Sequence, residues 1–280
     1  VCGGTENMSM APLQASGIET RWGGVALGKG LQLSDSLWDG LTDMHAQTPM
    51  GMTAENLADK YNISREECDE FAIRSQKTWG DAKEKGIFDL EMAPVEIQSR
   101  KGTTVVDTDE HPRPESTLEK ISGLKPVFKK DGVVTAANAS GICDGAGSVI
   151  VASEQAVKDH GLKPLAKLVS YGVTGCEPTI MGIGPVQAIQ QALAKANMTL
   201  SDVDRVEINE AFAAQFLSCA KELDLDMTKT NLHGGAISLG HPLGASGSRI
   251  VAHLANEFQQ SDNTVHVGAA CIGGGQGIAV

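Results

Sequence analysis

The sequence predicts an α/β fold, a sheet with helices packed against it, on three observations. From about Leu165 onward, strand-like and helix-like patterns alternate along the chain. Val149-Ile150-Val151-Ala152 is a continuous apolar run of the kind found in a strand covered on both faces. Glycine reaches 32 residues while aromatics make up only 4%, a balance that favours tight turns over aromatic stacking surfaces.

Each element has a local reason. Ser64-Arg65-Glu66-Glu67 has capping-box form and opens a long polar helix toward Lys85. The middle segment, roughly Ala11 to Gly141, breaks the strand-helix rhythm, and Asp107 to Pro114 is charged and proline-marked, as loops are. That segment has the character of an insertion carrying a partner or ligand surface. Leu165 to Val173, rich in apolar and β-branched residues, is the expected first strand of the C-terminal half. Pro185 then sits where a first helical turn accepts it, followed by Val186, Ile189, Leu193 and Ala196 at helical spacing. Val206 and Ile208 make a short strand. Phe212, Phe216, Cys219 or Ala220, and Leu223 form one helical stripe, and Ile250, Val251, Leu254 and Phe258 form another. Thr264 to Cys271 and Gln276 to Val280 are strand-like, and Gly273-Gly274-Gly275 between them predicts a tight return. The half therefore reads β-α-β-α-β-α-β-β.

Composition excludes several functions. A formal charge of −12 argues against general binding to nucleic acid or anionic membranes. The six cysteines show neither a CxxC pair nor a histidine cluster at metal-ligand spacing, so a reducing compartment fits better than a disulfide framework. No apolar run has the length of a membrane span. The chain opens on Val1-Cys2-Gly3-Gly4 without an initiator Met, so it is expected to begin mid-protein and to leave targeting unread.

Three loops are placed for chemistry, because ligands in open α/β sheets gather beyond the carboxyl ends of strands. In Gly240-His241-Pro242-Leu243-Gly244, Pro242 restricts His241 and the glycines admit a substrate. Cys271 precedes a glycine turn whose N–H groups could hold a thiolate and lower its pKa from about 8.5 toward neutrality; cysteines at strand ends are also commonly inert core residues. Asn209-Glu210 suits fixing a water or a carbonyl oxygen, or simple helix capping. No GxxxxGK[ST], strand-linked GxGxxG or GxSxG motif occurs, so nucleoside triphosphate, NAD and serine-hydrolase readings lack support.

In this order, CGGTENMSMAP at Cys2 to Pro12, MTAEN at Met52 to Asn56, NASG at Asn138 to Gly141, NEAF, GHPLGASGSR and CIGGGQG resemble the thiolase family over effectively the whole chain. The resemblance implies a thiolase-like fold of duplicated β-α-β-α-β-α-β-β halves in an α-β-α-β-α layering, each sheet mixed and five-stranded, with an inserted loop domain. Residues 1–11 and 142–161 would be a remnant of the N-terminal half, 12–141 the loop domain binding CoA and acyl groups, and 162–280 the C-terminal half. It implies cleavage of 3-ketoacyl-CoA by CoA to acetyl-CoA and a shortened acyl-CoA in fatty acid β-oxidation, reversibly, with coenzyme A as substrate and no dissociable cofactor or metal. A homodimer or homotetramer in the mitochondrial matrix is expected, with acyl-CoA and CoA as partners.

The same resemblance assigns residue roles. His241 would activate the nucleophile and help bind the thioester oxygen, and Cys271 would exchange protons with the departing acetyl carbanion or incoming CoA. Asn209 would position a water in one oxyanion site, and the Gly273 N–H would support the second. Arg113 and Ser140 would contact CoA, and Leu41, Met50, Phe128 and Phe212 would line the pantetheine and acyl pocket. Lys129 and Lys130 are left as solvated charges. The family's acyl-accepting cysteine lies upstream of CGGTE, so neither Cys2 nor Cys271 inherits that role, and the 280-residue chain alone is expected to be inactive and poorly soluble or molten. Pro49, where acetoacetyl-CoA thiolases commonly carry histidine, resembles the 3-ketoacyl branch. Acetoacetyl-CoA thiolysis, or an inactive CoA-binding fragment, is the alternative; a ketoacyl synthase is disfavoured because it would carry histidine at Cys271.

Overall fold

The computed structural model describes residues 1–24, 27–28 and 30–280. In chain order the strands are β1 (Cys2–Glu6), β2 (Leu13–Ala15), β3 (Leu33–Asp35), β4 (Thr42–Asp43), β5 (Thr48–Pro49), β6 (Val95–Ser99), β7 (Gly102–Val106), β8 (Gly145–Val149), β9 (Gly172–Gly175), β10 (Arg205–Ile208), β11 (His266–Ile272) and β12 (Gln276–Ala279). The α-helices are α1 (Ser36–Gly40), α2 (Met50–Tyr61), α3 (Arg65–Glu84), α4 (Leu118–Ser122), α5 (Glu154–Asp159), α6 (Gly184–Ala196), α7 (Ala213–Leu223), α8 (Ala236–Leu239) and α9 (Leu243–Glu257).

Caps set the helix ends. The Ser64 capping box forms as its sequence implies: Ser64 Oγ accepts from Glu67 N at 3.2 Å, while Ser64 N donates to the Glu67 carboxylate at 2.6 Å. Pro185 occupies the first turn of α6, where its missing N–H leaves no partner wanting. Helices α2, α6 and α7 stop at Asn62, Asn197 and Asp224, each left-handed with φ of 50°, 57° and 51°. Asn and Asp tolerate that conformation better than other non-glycine residues.

The C-terminal half builds a four-stranded sheet in the order β10-β11-β12-β9. Strands β10 and β11 are parallel, with Ile208 opposite Ala269, while β12 runs antiparallel to both β11 and β9. Helices cover both faces. Gly268 of β11 faces Ile250 and Leu254 of α9, whereas Val267 and Ala269 join the core with Val186 and Ile189 of α6 and Phe216 of α7, as the two-residue alternation of a strand requires. On its other side α9 carries the antiparallel pair β1–β8. A Cβ on Gly4 would overlap the Gly244 carbonyl, so glycine is what lets strand and helix come that close. Phe71 stacks on Phe216 with ring centroids 4.3 Å apart, joining α3 to this core. The layers are thus β1–β8, then α9, then the four-stranded sheet, then α6 and α7: four of the five the fold implies, among the described residues.

The structure corrects three expectations. The strand expected at Leu165 to Val173 is instead Gly172–Gly175. Its register follows β12, with Gly172 opposite Ala279, while Leu168 and Val169 lie exposed outside any ladder; β-branched composition does not replace a partner. The apolar run after Val149 is not covered on both faces: β8 ends at Val149, and Ile150 and Val151 are 78% and 66% exposed. The third strand of the half is reduced to one parallel bridge from Thr230 to Val206. There Arg74 draws the carbonyls of Met227, Thr230 and Asn231 onto its guanidinium, at 2.8 to 3.1 Å, and takes the acceptors a longer ladder would use. Within the middle segment, beside the helix expected after Ser64, β6 and β7 form an antiparallel hairpin. No helix among the described residues is long and apolar enough to cross a membrane.

Candidate active site

The site forms at the carboxyl ends of β10 and β11, where three loops converge. Asn209 follows β10 and donates its backbone N–H to the Ala269 carbonyl at 2.9 Å, which holds it beside β11. Since Ile208 pairs with Ala269, Cys271 stands two residues further along the neighbouring strand, with Gly273 in the turn beyond it. Gly274 and Gly275 take φ of 83° and 80°, so the return from β11 to β12 depends on their lacking a Cβ.

His241 reaches Asn209 from the third loop. Gly240 before it has φ of 90°, and a side chain there would also strike the Cys143 thiol. The His241 backbone N–H donates to the Gly141 carbonyl at 3.1 Å, and α9 starts two residues later. On the ring, Nδ1 lies 2.6 Å from Ser246 Oγ, which itself donates to the Pro242 carbonyl at 3.1 Å. Ser246 Oγ then accepts from Nδ1–H, which leaves Nε2 as an acceptor for the Asn209 Nδ2 amide at 3.1 Å. Burial, with Arg249 adding to it, pulls the imidazole down to about 4, so the ring is neutral and able to take a proton at pH 7. Asn209 Oδ1 is buried without a partner, an acceptor left over for a bound group.

Cys271 behaves differently from the sequence expectation. Desolvation pushes its thiol up to about 12, against a smaller lowering by a backbone hydrogen bond. A glycine turn alone does not overcome the cost of burying the charge. Cys271 is therefore a proton-carrying thiol in this structure.

The remaining predicted residues separate into two groups. Ser140 N donates to the Ala211 carbonyl at 3.0 Å and Ala139 bridges Phe212, so NASG lies along NEAF and reaches His241 through Gly141. Phe128 packs edge-on to Phe212 with centroids 6.4 Å apart, and its ring fills the space where Gly51 has no Cβ. The Met50 sulfur stands 3.7 Å from where a Cβ on Gly273 would be, and Met50 N donates to the Leu41 carbonyl at 2.9 Å. Leu41, Met50, Phe128, Phe212 and Ser140 are all half-buried and border the turn with Gly273 and the NEAF loop. Arg113 stands apart: its Nη1 donates to the carbonyls of Glu110, His111 and Pro112 at 2.6 to 2.9 Å, and it lines a surface cleft with Gln76 and Ser116. Lys129 pairs with Asp59 at 2.6 Å.

One contributor, Ser246, escaped sequence reasoning, and Glu210 takes a different role from the water-fixing or capping read there. Ser246 fixes the ring of His241, and its signal was the hydroxyl five residues later in the first turns of α9. Glu210 is wholly buried and accepts from Ser75 Oγ at 2.6 Å, Asn231 Nδ2 at 3.0 Å and Ile237 N at 3.3 Å. It ties the NEAF loop to α3 and α8 and leaves Asn209 to face the imidazole. Burial raises its pKa against those hydrogen bonds.

The family model described as "Thiolase, N-terminal domain" matches residues 1–155, and "Thiolase, C-terminal domain" matches residues 162–280. The chain belongs to the thiolase family. It is 58% identical over 280 residues to the 3-ketoacyl-CoA thiolase, mitochondrial, of Mus musculus, covering 100% of this chain and 70% of that relative. It is 47% identical over 283 residues to an acetyl-CoA acetyltransferase of Syntrophomonas wolfei, at 100% and 71% coverage. Human mitochondrial 3-ketoacyl-CoA thiolase superposes with a TM-score of 0.95 at 58% identity, over 99% of this chain and 70% of that one. Its structure in complex with CoA gives 0.94 at 57% identity, over 99% and 68%. The thiolase fold thus accounts for both the layered α/β arrangement and the loops that meet at His241.

Proposed function

We propose that this thiolase acts as an acyltransferase on 3-ketoacyl-CoA, transferring the acyl group to CoA with release of acetyl-CoA in mitochondrial fatty acid β-oxidation. The observation that carries this reading is a desolvated, neutral imidazole hydrogen-bonded to a carboxamide, with a proton-bearing thiol on the adjoining strand end. In the proposed sequence, His241 Nε2 takes the proton of a nucleophilic cysteine contributed from outside residues 1–280, and that thiolate attacks the C3 carbonyl. The Asn209 amide, by holding a water, and His241 stabilise the oxyanion as it forms. Collapse breaks the C2–C3 bond, the electron pair leaves as the acetyl-CoA enolate near the Gly273 N–H, and Cys271 delivers its proton to C2. The Cys271 thiolate then deprotonates incoming CoA. CoA attacks the acyl-cysteine thioester, and the released thiolate recovers its proton from His241. Protons and electron pairs balance without a redox partner.

Leu41, Met50, Phe128 and Phe212 would line the acyl and pantetheine passage, with Ser140 beside it and Arg113 toward the CoA nucleotide. The human relative's crystal structure in complex with CoA supports that ligand, and the names of the mammalian relatives support a mitochondrial site of action; a matrix location and a homodimer or homotetramer are part of the proposal. The test is acetyl-CoA formation from 3-ketoacyl-CoA and CoA by the protein expressed with any upstream coding sequence. Turnover that His241→Ala and Cys271→Ala each abolish is the expected result. Absence of acetyl-CoA, or near-normal rates in both variants, would overturn the reading.

A further inference from the structure

We infer that His233, His253 and Glu257 form a binding site for one divalent transition-metal ion of the zinc class, at the opposite end of α9 from His241. Their candidate ligand atoms all lie within 4.8 Å of one another. His253 and Glu257 project from one face of α9 at four-residue spacing, and His233 comes from the loop before α8. His233 Nδ1 and His253 Nε2 are 3.0 Å apart. Two nitrogens each about 2.0 to 2.1 Å from one zinc ion, at that separation, subtend somewhat more than a right angle, as ligands of a single ion do.

The surroundings of His253 carry the argument further. Its other nitrogen, Nδ1, lies 2.9 Å from Glu91 Oε1. A metal-binding imidazole almost always gives its second N–H to such a carboxylate, which fixes the tautomer and raises the basicity of the ligating nitrogen. That bond makes Nδ1 the donor and Nε2 the free electron pair, pointed at His233. Glu91 Oε2 is buried and has no partner, an unbalanced negative group that a nearby cation would offset. The Phe88 ring, 5.8 Å from that of His253 and stacked against Trp79, walls the site from water. His253 and Glu257 are 4% and 5% exposed, while half-buried His233 leaves a way in.

Arg205 pairs with Glu257 Oε1, and a carboxylate retains a second oxygen for an ion. Two imidazoles and one carboxylate form a borderline-soft set that suits zinc and its neighbours over calcium or magnesium. Three protein ligands leave a position for water. Without the ion, the His233 Nδ1–H donates to His253 Nε2; binding through Nδ1 moves that proton to His233 Nε2, the tautomer a metal-bound imidazole keeps. The ion would clamp the end of α9 to the loop at His233 and, through Glu91, to the segment after α3.

Calorimetric titration of the chelator-treated protein with zinc chloride at pH 7.5 tests the site, with cobalt(II) as a spectroscopic probe. One equivalent should bind, and the cobalt complex should lack sulfur-to-metal charge-transfer absorption. His233→Asn, at a half-buried position that leaves the core untouched, should lose that equivalent, and Glu91→Gln should weaken it about 10- to 100-fold. His45→Asn, an exposed histidine elsewhere, should bind as the parent does. No binding to the parent, unchanged binding in His233→Asn, or a thiolate cobalt spectrum would each overturn the assignment.

Discussion

The two sheets of this thiolase differ in how far their surfaces are covered, and that difference orders the rest of the molecule. The four-stranded sheet has α9 on one face and α6 and α7 on the other, and even Ile208 in its outer strand β10 is fully buried. The β1–β8 pair has α9 on one face only, and the chain leaving it exposes Ile150 and Val151. The loops that carry Asn209 and Gly273 rise from the covered sheet. A strand buried on both faces fixes the position of the residue that follows it, and Asn209 inherits that rigidity.

The sharpest test of the comparison is chemical. His241→Ala should lower kcat by about 10²- to 10⁴-fold, the range of a lost general base, as measured by acetyl-CoA release in the protein carrying its nucleophile. Ile208→Ala, which opens a cavity under the site, should cost about 2 to 5 kcal/mol in urea unfolding. Ser64→Ala removes the cap of α3 and should cost about 1 kcal/mol by the same measurement. Ile150→Ala, on the bare pair, should change stability by no more than about 0.5 kcal/mol. A cost for Ile150 equal to that for Ile208 would break the contrast between the two sheets.

Acid should separate them too. His241 and His233 are both held at about 4 by burial, below the ordinary 6.5. Between those values the unfolded chain binds more protons than the folded one, so these two groups contribute stability above about pH 6.5 that is lost as pH falls toward 4. His253, raised by its bond to Glu91, opposes them by favouring the folded state on the acid side. Replacing it with Asn should therefore remove a rise in the urea midpoint that the parent shows as pH falls toward 6.5 from above, leaving the slope below 6.5 to the other groups.

Sequence reasoning singled out His241, Asn209 and Cys271 from local signals: His241 lies between a glycine and a proline, Asn209 follows the short strand of Val206 and Ile208, and Cys271 precedes a run of three glycines. The helices α3, α6, α7 and α9 were legible for the same reason, through caps and 3.6-residue spacing. Leu165 to Ser170 misled because residue type suggests a strand but cannot name its partner. Cys271 misled because its glycine turn is visible in the sequence while its enclosure is not. Ser246 and Glu210 act through bonds to His241 and to Ser75 and Asn231 that only the folded chain brings near.

The sequence by itself determined the family and the starts of α3 and α6, and it singled out the imidazole, thiol and carboxamide, because those readings depend on short-range order along the chain. The tertiary structure alone decided which strands pair, that the Cys271 thiol keeps its proton, which nitrogen of His241 faces Asn209, and that His233 meets His253. Pairing, desolvation and tautomer all depend on what packs alongside from distant parts of the chain.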